Sequence, residues 1–385
     1  MGRDAVGPHI GEERMTELLV EICQGQEWHW SRQEVHPGRD NLLIRVDGDP
    51  PPHEGGELIL WDVHQDTVPA DGMAIDPFGG EKRDGRVYGR GASDVKGTMA
   101  AMLAALSRAS EPSLTGRGEI ARPSIVLACT VNEECGFTGA RALCGLWMGE
   151  SDRRFFPRPP DAAIVAEPTQ LHVVVAHQGQ VRWRCHAIGR SAHTSRPDAG
   201  ANAIYAVAQV VQAIERYHAK LSTTAPEHPR CGRPSVCVST IHGGVAINTV
   251  PDWATIEIDR RLAPGEKPAT AYQALIRYIA EHSDSGPCRV EHDLPFMEST
   301  GLVDDHNCPL AERLAGLVRR FGRISELVGV PFGTDAAAIA AAGVPTVVFG
   351  PGSIEQAHTA DEFISVDELR SAAEIFYRIA CAGLR

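Results

Sequence analysis

ELILWDVH at 57–64, SIVLACTVNEE at 124–134 and DAAIVAEPT at 161–169 are short apolar runs, and KGTMAAMLAALSRA at 96–109 between the first two is helical in pattern. Strands buried on both faces read as continuous apolar runs, and helices between them make the crossovers of a parallel sheet. GARAL at 139–143 opens the next helix. A fourth run, PTVVFGPG at 345–352, follows an Ala-rich helix and precedes SVDELRSAAEIFYRIA, where Ser365 and Glu368 carry a capping-box signal. The order predicts an α/β domain around a mostly parallel sheet.

Between the third and fourth runs the pattern changes. Residues 180–191 read as a strand, and 202–221 as a helix with Ile204, Val207, Ala208, Val211 and Ile214 on one face. Strands at 235–242 and 254–262 are joined through GGVAINTVP, and a helix at 269–283 and a strand at 287–294 complete βαββαβ, the ferredoxin-like order. The expected layout is a discontinuous catalytic domain, 1–178 with 295–385, carrying an inserted α+β domain at 179–294. Clefts between two such domains are favoured ligand sites.

A chain of 385 residues is long enough for two or three domains. Its 37 basic and 50 acidic residues give a net charge of −13, the wrong sign for tracking a phosphate backbone, so nucleic acid is not an expected partner. The most apolar stretch, from Ala336, is broken by Gly343 and Pro345, so no membrane span is expected either. The N-terminus is too polar for a signal-peptide core, and the ten cysteines include no C-x-x-C pair. Reduced core thiols and a cytoplasmic setting follow as expectations.

Parallel sheets place their sites past the strand ends, and each run here ends in metal-type side chains. His64 and Asp66 share a face at the end of the first run, where the Asp can hold the imidazole. Asp94 lies in GRGASDVKG, a Gly-flanked turn into a helix, and Glu133 and Glu134 adjoin in NEECGFTGA. Glu167 precedes Pro168, and His358 lies in GPGSIEQAHTADE beyond the last run. Each has an ordinary explanation alone: a surface pair, an N-cap, a solvated acidic turn. Their joint occurrence at one sheet edge does not. Two His, one Asp and two Glu make a mixed N/O set suited to zinc, an Asp can bridge two ions, and Glu133 is left over as general base.

VHQDTVP, GRGASDVKG, NEECGFTGA, VAEPT and QAHTADE, in this order and with an insertion before the last, resemble the di-zinc aminoacylase-type metallohydrolases. That family includes acetylornithine deacetylase, succinyl-diaminopimelate desuccinylase and glutamate carboxypeptidase. The resemblance covers about residue 40 to the C-terminus. It implies that His64, Asp94 and Glu167 hold one zinc and that Asp94, Glu134 and His358 hold the other, with cobalt or manganese as other ions such a site accepts. Asp66 and Glu133 would be catalytic. GRSAHTSRPDAGANAI resembles the family's histidine segment, which implies that His193 reaches a neighbouring subunit's site in a homodimer and stabilises an oxyanion. Asn248 and Arg261 match substrate-binding positions, with Arg260 as the other candidate in IDRRLAPG, and Thr334 in GTDA looks like the loop near the substrate's backbone groups. One departure is Val63, where the family usually has Gly before the first histidine.

AHQGQ, EPT and GPGSIEQAH are most similar to the acetylornithine deacetylase branch. The expected reaction is hydrolysis of N-acetyl-L-ornithine to ornithine and acetate, a step of arginine biosynthesis. A desuccinylase, another N-acyl-amino-acid hydrolase, and a metallocarboxypeptidase or dipeptidase are alternatives. A non-catalytic metal-binding homologue is the contrasting class, opposed by the completeness of the set. A carbamoyl-amide hydrolase is opposed by the peptidase-like form of SDVKG and NEE.

Overall fold

The computed structural model describes residues 11–111, 121–149 and 153–384. The N-terminal residues read above against a signal peptide lie, up to residue 10, outside the described residues. Two compact units divide the chain: Met1–Val175 with Val303–Gly329 and Thr334–Arg385, and Ala176–Leu302 with Val330–Gly333.

In chain order the first unit begins with α1 (Glu13–Gly25), β1 (His29–His36), β2 (Arg39–Val46), β3 (Leu58–His64), β4 (Lys82–Arg83), β5 (Arg86–Tyr88) and α2 (Gly97–Ala109). β6 (Ser124–Thr130), α3 (Thr138–Met148), β7 (Ala162–Val165) and β8 (Val173–His177) lead to the second unit. That unit contains β9 (Gly179–Ile188), α4 (Ala203–Thr224), β10 (Ser235–Gly243), β11 (Trp253–Leu262), α5 (Pro268–His282), β12 (Arg289–His292) and β13 (Met297–Ser299). The chain closes with α6 (Cys308–Arg320), β14 (Leu327–Val330), α7 (Ala336–Ala341), β15 (Thr346–Val348), β16 (Phe363–Ser365) and α8 (Val366–Ala382).

The large sheet runs β1-β2-β6-β3-β7-β15-β8-β14. Its centre, β6-β3-β7-β15, is parallel throughout, and these are the four apolar runs of the sequence. β1 and β2 add an antiparallel edge, and β8 pairs antiparallel with β15. Every residue of β3, β6 and β7 is buried, as expected of strands covered on both faces. Trp61 of β3 meets Phe376 of α8 edge-on at 5.0 Å between ring centroids, and Phe349 meets the same ring at 5.8 Å. Burial pushes the thiols of Cys23 and Cys144 up to about 12, which keeps them as inert core groups.

The capping box forms by half. Ser365 accepts the Glu368 amide at 3.4 Å, but the Glu368 carboxylate accepts the Gly352 amide at 2.7 Å instead of reaching back to Ser365. Gly352 has φ +87°, and a Cβ there would collide with Ser93 Oγ, so glycine is required.

In the second unit the sheet order β10-β11-β9-β12 with helices α4 and α5 is the ferredoxin-like arrangement. Against the expected 179–294 this unit begins at 176 and continues to 302, because β13 pairs with β9 from Met297↔Arg182 to Ser299↔Gln180. Asn202 caps α4, its side chain accepting the amides of Ile204 at 3.0 Å and Tyr205 at 3.3 Å. Val207, Val210 and Ile214 of α4 are buried with Trp183, Ile256 and Ile258 of the sheet. Among the described residues no helix is long and apolar enough to cross a membrane.

Candidate metal centre

The ends of the central parallel strands supply the site. His64 is the last residue of β3, Glu133 and Glu134 follow β6, Glu167 follows β7, and His358 lies in the loop after β15. Asp94 comes from the turn into α2, which Gly91 enters at φ +81°. Asp94 itself is non-helical at φ −121° and ψ 90°, so its side chain leaves the line of the helix.

Two sets of ligand atoms converge: His64, Asp94 and Glu167, and Asp94, Glu134 and His358, each within 4.8 Å of one another. Asp94 belongs to both. Its Oδ1 is 3.0 Å from His64 Nε2, its Oδ2 is 3.2 Å from His358 Nε2, and His358 Nε2 is also 3.3 Å from Glu134 Oε1. Glu133 is 8% exposed and lies outside both sets.

The electrostatics call for positive charge. Burial, then the neighbouring Glu167, raises Glu133 well above the usual carboxylate range; burial, then Asp94, does the same to Glu167. Hydrogen bonds to Asp94 and Glu134 push His358 up to about 10. Burial pulls His64 down, but its bonds to Asp66 and Asp94 win and its pKa is raised. Carboxylates crowded beside two imidazoles, several oxygens facing one space, fit a pair of divalent cations with N/O ligation.

Asp66 contacts His64 through both main chain and side chain. The His64 Nδ1 contact at 2.9 Å goes to the Asp66 backbone carbonyl, and the nearer carboxylate oxygen is 3.6 Å away. That carboxylate also accepts the amides of Glu133 at 3.1 Å and Glu134 at 3.2 Å. It orients the turn that carries both glutamates. The β-strand geometry put Asp66 on the right face, but backbone donors across the sheet compete for it.

A second brace on this turn was invisible in sequence. Asn132 has φ +63°; its amide donates to Glu12 at 3.2 Å and its side-chain oxygen accepts from Arg39 at 3.1 Å. Arg39 in turn holds Glu12 at 2.6 Å and 2.5 Å. These contacts come from the first 40 residues, where no motif stood out. Only the buried acid's pairing with a distant Arg marks them, and sequence does not show pairing.

Thr334 is 1% exposed, and its hydroxyl accepts the Ala336 amide at 3.1 Å at the head of α7. Next to it, Asp335 accepts from Thr130 at 3.0 Å, and burial pushes its carboxyl up to about 6.

His193, Asn248 and Arg261 lie in the second unit. His193 and Asn248 are brought together there: Thr194 donates to the Asn248 carbonyl at 3.1 Å, and His193 bridges Thr249. Both are exposed. The Ser195 amide donates to His193 Nδ1 at 3.2 Å, and the Ser195 hydroxyl lies 2.8 Å from the same nitrogen. Of the two arginines, Arg260 is 1% exposed and paired with Glu266 at 2.7 Å, whereas Arg261 is partly exposed and contacts Asp259 at 3.0 Å. Arg261 is therefore the more exposed of the two.

The family model described as Peptidase family M20/M25/M40 matches residues 60–382. The chain belongs to this family and is a metal-dependent hydrolase acting on an amide bond. It is 31% identical over 350 residues to acetylornithine deacetylase of Photorhabdus laumondii, covering 89% of this chain and 82% of that one. Its fold is similar to the M20 family metallo-carboxypeptidase Sso-CP2 of Sulfolobus solfataricus, with a TM-score of 0.74, 15% identity and coverage of 97% and 94%. It is also similar to YXEP of Bacillus subtilis, described as a dinuclear metal-binding peptidase, at a TM-score of 0.65, 15% identity and coverage of 96% and 92%.

Proposed function

We propose that this chain hydrolyses N-acetyl-L-ornithine to L-ornithine and acetate, using two zinc ions held by His64, Asp94 and Glu167 and by Asp94, Glu134 and His358. Asp94 belonging to two ligand sets, with the buried Glu133 outside both, is the observation that carries the chemistry. The similarity to acetylornithine deacetylase over most of the chain supports the substrate.

Zinc in these sites would polarise the amide carbonyl and acidify a water. Glu133, raised by burial, accepts the proton of the attacking water and returns it to the departing amine nitrogen as the C–N bond breaks. Asp66 fixes the Glu133 amide and hence the base's direction. His193, held through Nδ1 by Ser195, donates from its other ring nitrogen to the carbonyl oxygen as negative charge grows there, from the second subunit of a homodimer. Arg261 offers a planar fork to the substrate carboxylate, and Asn248 lies on the loop beside His193. Thr334, with its hydroxyl committed to the head of α7, shapes the loop near the substrate's backbone groups. Inert buried thiols suit a reducing cytoplasmic setting.

Acetate release from a panel of N-acyl amino acids tests the assignment. N-acetyl-L-ornithine should give the highest kcat/KM. Faster turnover of N-succinyl-diaminopimelate or of a dipeptide would overturn it.

A further inference from the structure

Glu362 ends the segment QAHTADE and has no part in the ligand sets, yet it is 0% exposed in a site already crowded with acids. Its carboxylate is fully engaged. Oε1 accepts the amides of Ser93 at 2.9 Å and Asp94 at 3.1 Å, and Oε2 accepts the Gly91 amide at 3.1 Å and Arg90 NH1 at 2.7 Å. Three amides of one turn, those of Gly91, Ser93 and Asp94, thus converge on one carboxylate, while the Ala92 amide between them goes to the Gly89 carbonyl at 3.1 Å. The turn they belong to is the one that aims Asp94.

The other end of the brace reaches the second ligand loop. Glu362 lies four residues beyond His358, its carbonyl accepts the Gly89 amide at 3.0 Å, and Arg90 NH2 donates to the Thr359 carbonyl at 3.3 Å. Side chain and main chain of one residue therefore tie the loop carrying Asp94 to the loop carrying His358. These two ligands lie far apart in the chain, and Asp94 departs from helical geometry at φ −121° and ψ 90°. A carboxylate accepting from an amide row fixes that turn, whereas an amide side chain would point a donor at donors.

We propose that Glu362 is a positioning residue that holds Asp94 and His358 in register, so that one carboxylate serves both metal sites. The proposal rests on the metal reading above. Glu362→Gln should bind zinc about 10–100-fold more weakly, as for residues that orient ligands, when the metal-free full-length chain is titrated in competition with a chromophoric chelator. Its kcat for N-acetyl-L-ornithine should fall while KM stays within about twofold, since substrate contacts are untouched. Glu362→Asp, which keeps the charge but shortens the reach, should fall between wild type and Glu362→Gln, and it carries the test if the glutamine variant does not fold. In the wild type, metal-free, the amides of Gly91, Ser93 and Asp94 should exchange hydrogen slowly. A folded Glu362→Gln or Glu362→Asp with wild-type zinc affinity, or rapid exchange at those three amides, would overturn the proposal. Failure of the wild type itself to take up zinc would instead overturn the metal reading, and the amide exchange would still decide whether Glu362 holds the turn.

Discussion

His358 Nε2 lies 3.2 Å from Asp94 Oδ2, joining side chains far apart in the chain at the edge of one parallel sheet. The opposite oxygen of Asp94 faces His64 at 3.0 Å, so the carboxylate is shared symmetrically between two imidazoles. Asp94→Asn should therefore lose metal at both sites together. Zinc content by mass spectrometry, after metal-replete purification, should fall below one ion per chain; retention of one full equivalent would show that Asp94 does not bridge.

Glu133→Gln separates base from ligand. Glu133 is outside both ligand sets, so the variant should keep wild-type metal content while turnover drops by the ~10²–10⁴-fold typical of general base catalysis. Near-normal turnover would remove Glu133 from the mechanism.

His193→Ala should lower kcat by ~10²–10³-fold, the loss usual for one oxyanion donor, with little change in metal content. If the histidine acts from a second subunit, mixing His193→Ala with Asp94→Asn chains should restore activity, because each mixed dimer regains one intact site. No recovery on mixing, with subunit exchange verified, would place the donor within its own chain.

Much of this was legible because buried parallel strands leave an unmistakable trace. β3, β6, β7 and β15 are apolar runs, and their ends carry His64, Glu133, Glu134, Glu167 and, one loop later, His358. β1, HWSRQEVH, is an exposed edge strand with no such trace, and β13 is three residues long, so both were missed. The supports of the site were hidden for another reason. Asp66, Glu12 and Glu362 act on backbone amides, and a backbone donor has no letter in the sequence.

The second unit should be acid-sensitive. Burial lowers His177 to about 4, and burial followed by the nearby His186 lowers His292 to about 4, where Trp183 Nε1 donates to its Nδ1 at 3.1 Å. The unfolded chain protonates both near pH 6.5, so between pH 6.5 and 4 it binds more protons than the fold. Stability is complete above that window and is lost as pH falls through it, by roughly 3 kcal/mol for a fully buried histidine at the lower end. Urea unfolding at pH 7 and pH 5 should show the loss, and His177→Gln should lose less over the same interval. Equal losses in both proteins would show that His177 does not contribute.

The most direct measurement is reconstitution of amide hydrolysis. Stripped of metal by chelation, the full-length chain should release no acetate from N-acetyl-L-ornithine, and activity should return on titration with zinc, saturating at no more than two ions per chain. Asp94→Asn should not recover under the same titration. Full turnover by the stripped chain, or recovery in the absence of Asp94, would contradict a hydrolase built on a metal pair that shares this carboxylate.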